Sequence, residues 1–269
     1  MLLPLLVEPE ALSAELDNPE LLIVDTSRSE RYLEGHIPGS IHIAPAQLQS
    51  GVAPAAGKIP DAAALSALFA AIGLTPDKHV VAVDDEGGGW AGRLLWTLES
   101  VGHSNYSLLN GGLESWASAG LPLSQQISTV TASDFSIAVL DETARIHCDD
   151  LIAELGKPDL GIWDARSADE YHGRKSPARR AGHIPGAAHL EWTDLMDPGR
   201  NLRLKPIDQI QRMLDDRGLV QGKRIVTHCQ SHHRSGLTWF AGKLLGYDIR
   251  AYDGSWGEWG NRDDTPIEI

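Results

Sequence analysis

Two cysteines, three phenylalanines and three methionines in 269 residues leave few groups for cross-linking or soft metal chemistry. Cys148 and Cys229 are too few to form a disulfide framework. Basic residues are also scarce: 23 Lys and Arg stand against 37 Asp and Glu, a formal net charge of −14. That balance excludes the basic footprint on which nonspecific nucleic-acid binding depends. No apolar run approaches the length of a membrane span. The opening Met1–Val7 is apolar but short, with neither a basic n-region nor a small-residue cleavage site. These absences predict a soluble protein of the cytoplasm without nucleic-acid or membrane partners. Against so acidic a background the cluster Arg174, Lys175, Arg179 and Arg180 stands out. It reads either as a rim that attracts anions or as a solvated loop, and the sequence leaves both open.

Hydrophobic residues make up 42% of the chain and charged residues 22%, enough apolar material for a packed core. The chain then states its pattern twice. Leu21–Val24 leads to Asp25-Thr26-Ser27-Arg28-Ser29-Glu30-Arg31-Tyr32 and on to Gly35-His36-Ile37-Pro38-Gly39. Leu160–Trp163 leads to Asp164-Ala165-Arg166-Ser167-Ala168-Asp169-Glu170-Tyr171 and on to Gly182-His183-Ile184-Pro185-Gly186. The later segments also correspond: a helix with a glycine stop (Leu65–Leu74, Ile207–Leu219), a strand (Lys78–Val83, Lys223–His228), and a tryptophan motif (Asn110–Trp116, Asp253–Trp259). This period is far longer than that of solenoid units, so whole domains are duplicated. Alternating strands and helices predict two α/β domains, each a mainly parallel sheet flanked by helices. The expected division is a first domain at 1–125, a linker at 126–140 and a second domain at 141–269.

The chemistry concentrates at Cys229. Ile225, Val226 and Thr227 read as a short buried strand, and Leu237–Leu245 as a helix that Gly246 ends. Between them lie Cys229, Gln230, Ser231, His232, His233, Arg234 and Ser235. A cysteine between strand and helix faces outward-pointing backbone N–H groups, a cradle for a thiolate, a persulfide or an oxyanion. Arg234 adds a full positive charge, and both effects favour the thiolate. A plain buried structural cysteine is the competing reading, but three histidines and an arginine crowd around this one. In the first half the corresponding position is Asp84, followed by Asp85 and Glu86. A carboxylate cannot carry sulfur, and three consecutive acids repel anions. The first half is therefore expected to be catalytically inactive.

Taken together, the Asp164–Arg166 turn, the Gly182–Ala187 segment, the Cys229 loop and the closing Tyr252–Trp259 motif resemble the tandem-domain rhodaneses. That family comprises thiosulfate sulfurtransferases and their mercaptopyruvate-using relatives. The loop is most similar to a bacterial branch with a histidine-rich Cys-Gln-Ser-His-His-Arg sequence. The resemblance implies that Cys229 takes sulfane sulfur from thiosulfate or a similar donor as a persulfide and passes it to cyanide or a thiol. It implies Gln230 through Ser235 as the substrate-binding loop, Asp164 and Arg166 as supporting residues, and neither cofactor nor metal. Expected partners are the small-molecule donor and acceptor, with room for a sulfur-accepting protein. Two departures stand out. The loop lacks both Arg-Lys-Gly-Val-Thr and Gly-Ser-Gly-Val-Thr, the family's thiosulfate and mercaptopyruvate signatures, so mercaptopyruvate remains an alternative donor. Glu170 occupies the place of a substrate-orienting arginine, which makes Arg234 the candidate to supply that charge.

Three other readings compete. His228-Cys229…Arg234-Ser235 is similar to the loop of cysteine phosphatases, although that loop holds one more residue between cysteine and arginine. Cys229 with His228, His232 and His233 suggests a metal, but a structural zinc site draws ligand pairs from separated segments and no second pair is present. A non-catalytic interaction domain conflicts with Cys229 and Arg234. His36 and His183 recur in both halves and are read as structural; Trp116 and Trp259 are read as packing. Trp192 is assigned to the core, with the substrate cleft as the alternative. For Asp164 and Arg166 an N-cap and a turn-stabilising ion pair are equally good readings. Cys148, followed by two aspartates, is expected to be inert.

Overall fold

A computed structural model describes residues 2–269. Its strands are β1 (Leu6–Val7), β2 (Leu21–Asp25), β3 (Ile41–His42), β4 (His79–Val83), β5 (Tyr106–Leu109), β6 (Leu160–Asp164), β7 (Ala187–His189), β8 (Met196–Asp197), β9 (Arg203–Leu204), β10 (Arg224–His228) and β11 (Asp248–Ala251). Two compact units result. One holds residues 1–48, 60–141 and 196–204; the other holds 49–59, 142–195 and 205–269. A single cut between residues 125 and 141 does not describe this division, because each half lends a short segment to the other unit.

The first unit contains a sheet in the order β1-β5-β4-β2-β3, parallel throughout. The second contains the parallel order β11-β10-β6-β7. Parallel strands are covered on both faces by crossover helices and therefore read as unbroken apolar runs. Every residue of β4 is buried, as are the last four of β10. Trp116 is fully buried in one core and Trp256 and Trp259 in the other. The packing assignment of Trp116 and Trp259 therefore holds. Trp192 is a correction: it is only half-buried, its ring tilted against that of His233 at 5.7 Å.

The two Gly-His-Ile-Pro-Gly turns serve structure in the same way. His36 stacks on Tyr32 and His183 on Tyr171, each with ring centroids 3.8 Å apart. Each histidine backbone also pairs with a late segment of its own unit, His36 with Ser124 and His183 with Glu268. The 126–140 stretch has no helix or strand, yet it is docked. The Ser133 N–H donates to the Ala70 carbonyl at 2.9 Å, the Ile137 N–H to the Ser66 hydroxyl at 3.0 Å, and Phe135 meets Phe69 edge-on. Among the described residues no helix is long and apolar enough to cross a membrane.

Candidate active site

Cys229 follows directly on β10, a central strand of its sheet, and the helix Arg234–Leu244 begins five residues later. The carboxyl ends of parallel strands are where such sheets present ligand sites. The sulfur-bearing residue is fully buried. Its loop turns through His232, which lies in the left-handed region at φ 53°. A side chain is unfavourable there by about 1–2 kcal/mol, so neighbouring contacts must hold the turn.

Ser255 does so. Its hydroxyl accepts the N–H of His232 at 3.2 Å and of Cys229 at 3.3 Å, and donates to the Tyr252 carbonyl at 2.9 Å. The N–H groups of Trp256 and Gly257 donate to the carbonyls of Cys229 and Gln230, both at 2.9 Å. On the other side the Gln49 amide donates to the Ser231 carbonyl at 3.3 Å. Gly57, in the same strap, lies so close that a Cβ there would collide with the Ser231 backbone. Within the loop, the His232 Nδ1 and the Ser235 hydroxyl are 2.7 Å apart.

Burial by itself raises the Cys229 thiol. The Arg234 guanidinium, the Ser235 hydroxyl and N–H, and the Ser231 N–H outweigh it and bring the thiol below its ordinary range. Arg234 is not a free charge, however. Its fork makes two parallel bonds to Glu170, Nη1 to Oε2 at 2.6 Å and Nη2 to Oε1 at 2.9 Å. Glu170 is buried, and its carboxyl falls to about 2: Arg234 and the Ser167 hydroxyl and N–H overcome a burial effect of the opposite sign. Arg234, the candidate to supply the charge absent at position 170, is thus paired with the residue that stands there.

Asp164 and Arg166 form a fully buried ion pair at 2.6 Å. The turn-stabilising pair is therefore present, whereas the N-cap of the following short helix is Ser167 in a capping box with Glu170. Arg166 also donates to the Gly182 carbonyl at 2.8 Å and stacks on Trp256 at 4.3 Å. Trp256 in turn holds the Cys229 carbonyl, so the pair braces the loop at one remove. The three histidines face different neighbours. His228 lies 3.7 Å from Asp164, His232 meets Ser235, and His233 meets Trp192. Burial keeps His228 below the usual histidine range and so favours its neutral ring. Among the described residues no three His, Cys, Asp or Glu side chains are grouped to hold a metal ion. The basic cluster is mostly spent: Arg174 pairs with Asp169, Arg179 with Asp263, and Arg180 binds the Trp259 and Thr265 carbonyls.

The family model for the rhodanese-like domain matches this chain twice, at residues 8–119 and 147–262. The chain belongs to the rhodanese family. Curated relatives include a thiosulfate sulfurtransferase of Azotobacter vinelandii, 47% identical over 99% of this chain and 98% of that one. Another, from Pseudomonas aeruginosa, is 44% identical over the same shares. A 3-mercaptopyruvate sulfurtransferase of Escherichia coli is 29% identical over 96% of this chain and 95% of that one. Among solved structures, an anaerobic ergothioneine biosynthesis enzyme from Chlorobium limicola superposes with a TM-score of 0.88. It is 22% identical over 98% of this chain and 70% of that one, and the likeness concerns the fold alone.

The other rhodanese-like unit carries the same loop with a different occupant. Asp84 follows β4, and the helix Gly89–Ser100 begins after the same interval. Its buried carboxylate accepts N–H bonds from Glu86, Gly87, Gly88 and Ala91 at 2.9–3.2 Å. Burial, then the Glu86 charge, push this acid up to about 7 while those N–H groups pull it down. The repulsion suggested by the sequence is present as the Glu86 charge, and the loop's own carboxyl group fills the cradle. Met196 and Leu202, from the β8–β9 hairpin, pack over Gly87.

Sequence reasoning missed Ser255, Gln49, Gly57 and the Glu170–Arg234 pair. Ser255 left a trace. It aligns with Gly112 of the repeated tryptophan motif, and the two share a left-handed backbone, φ 51° and 56°. A serine where the duplicate has a left-handed glycine marks a side chain with a task.

Proposed function

We propose that Cys229 is the nucleophile of a thiosulfate sulfurtransferase, with Gln230, Ser231, His232, His233, Arg234 and Ser235 forming the substrate loop. One observation carries this reading: a fully buried cysteine at a strand-to-helix turn whose thiol is brought down by Arg234 and loop donors. The names of the relatives at 47% and 44% identity support thiosulfate as the donor. The Cys229 thiolate attacks the outer sulfur of thiosulfate. The sulfur–sulfur bond breaks, its electron pair leaves with sulfite, and Cys229 becomes a persulfide. Cyanide or a thiolate then attacks the terminal sulfur and restores the Cys229 thiolate. Charge is conserved in both stages and no proton need move, so loop electrostatics replaces a general base.

The Asp84 loop supports the persulfide geometry. An aspartate places an oxygen two bonds beyond Cβ, and a cysteine persulfide places its terminal sulfur two bonds beyond Cβ. The N–H donors around Asp84 support an equivalent set of donors for that sulfur in the Cys229 loop. Asp164 and Arg166 act as positioning residues through Trp256. The unit with Asp84 in its loop is the inactive copy, and the unit with Cys229 is the catalytic one. A sulfur carrier protein of Thermus thermophilus, 29% identical, lends weight to a protein thiol as acceptor. With two free cysteines and no disulfide framework, the cytoplasm is the proposed compartment.

Steady-state kinetics tests the reading. Thiosulfate varied at several cyanide concentrations should give the parallel double-reciprocal lines of a ping-pong scheme. Intersecting lines, or aryl-phosphate hydrolysis without sulfur transfer, would overturn it. The phosphatase reading is the weaker one, since four residues rather than five separate Cys229 from Arg234.

A further inference from the structure

Glu170 is a carboxylate inside a site that must admit anions. It is 6% exposed and pairs with Arg234, itself the cation that most favours the Cys229 thiolate. The two bonds of 2.6 and 2.9 Å form a fork-to-fork pair, the most specific geometry available to arginine and a carboxylate. Glu170 is also built into its place: its Oε2 accepts the Ser167 hydroxyl at 2.9 Å and N–H at 3.3 Å, closing a capping box. The carboxylate is therefore fixed independently of the arginine that it holds.

We propose that Glu170 is a specificity-determining residue: by occupying Arg234 in a two-bond pair it withholds charge from the incoming donor and biases the site against dianions. This rests on the sulfurtransferase reading above. The loop N–H groups remain, and they recognise the reacting sulfur whatever the rest of the donor is. The charge that would reward a second negative charge on the donor is shared with Glu170. Sulfur donors of lower charge are thereby favoured over what an unpaired arginine would select, and thiosulfate is accepted with reduced advantage.

The Glu170→Gln variant tests this, because glutamine preserves the capping box but removes the charge. Thiosulfate carries two negative charges and mercaptopyruvate one carboxylate charge. The released arginine should therefore raise kcat/KM for thiosulfate by about five- to tenfold. The rise for mercaptopyruvate should be smaller, and the ratio of the two should move by at least about threefold toward thiosulfate. Most of the change should fall in KM for the donor and diminish with added salt. Glu170→Asp, which retains the charge, should leave the donor ratio near that of the parent. Asp169→Asn removes an exposed carboxylate one residue away and should also leave it unchanged. A merely structural role would lower both donors alike in Glu170→Gln. That result, an unchanged ratio, or a matching shift in Asp169→Asn would each overturn the proposal. Should Glu170→Gln not fold, Glu170→Met, neutral and of similar length, takes its place: a ratio moved at least about threefold toward thiosulfate would uphold the proposal and an unchanged ratio would overturn it. If the parent protein itself gains no sulfur from either donor, the sulfurtransferase reading fails, which is a separate result.

Discussion

Replacing Arg234 with alanine removes two things at once, and the structure separates them. Arg234 is the ionised group that most favours the Cys229 thiolate, and it is the partner of the buried Glu170. Loss of one preorganised donor lowers turnover by about 10²–10³-fold. Leaving Glu170 unpaired costs stability as well. Removing one member of a buried pair costs about 3–5 kcal/mol. With the Arg234 side chain 18% exposed, about 1–3 kcal/mol is a better expectation. Adding Glu170→Gln to Arg234→Ala removes the stranded charge, so the double variant should regain most of the melting temperature without regaining activity. The pH profile gives a third reading. The thiolate is the reactive form, so without Arg234 the acid limb of kcat/KM should move to higher pH. The ion pair itself contributes stability above the unfolded carboxyl range, lost as pH falls toward the folded value of about 2; Arg234→Ala should lack that acid-dependent loss. Arg234→Lys should recover part of the turnover, since charge returns without the planar fork. Melting curves and thiosulfate–cyanide assays suffice. A single variant within fivefold of the parent, or a double variant that regains activity, would refute the reasoning.

Three further outcomes are expected. Asp84→Cys should not yield a second labile sulfur by intact mass after thiosulfate loading, because Asp85 and Glu86 remain and Met196 packs over the loop; two sulfurs per chain would contradict this. Cys148→Ser should retain turnover within about twofold, as burial, ahead of the charges of Glu258 and Asp149, keeps that thiol above its ordinary range despite a bond to Tyr252; an inactive but folded variant would contradict it. Gly57→Ala drives a methyl group into the Ser231 backbone and displaces the loop. A 1 Å misplacement costs on the order of 10²-fold in rate, so turnover should fall tenfold or more with little change in melting temperature; unchanged kinetics would show that the strap does not set the loop.

The duplicated fold was legible because both halves repeat local signals: buried strands such as Ile225–Thr227, glycine stops, and two Gly-His-Ile-Pro-Gly turns. Cys229 was legible for the same reason, since its loop runs from strand to helix within a few residues. What holds that loop was not. Gln49 and Gly57 lie far upstream in sequence, and their contacts with Ser231 arise only once residues 49–59 pack in the second unit. The Glu170–Arg234 pair joins positions 64 residues apart, and composition cannot tell a free arginine from a spent one. Asp84 is the instructive case. Its acidic neighbours predicted repulsion, which Glu86 supplies, but the backbone N–H groups that hold its carboxyl group in the cradle have no sequence signature.

The most direct test of the account is intact-protein mass spectrometry after incubation with thiosulfate, followed by peptide mapping. The parent chain should gain one sulfur, located on the peptide containing Cys229 and removed by cyanide. Cys229→Ser should gain none, while Cys148→Ser should gain one as the parent does. Sulfur mapped to Cys148, or a parent chain that gains none while still turning over thiosulfate, would contradict a Cys229 persulfide.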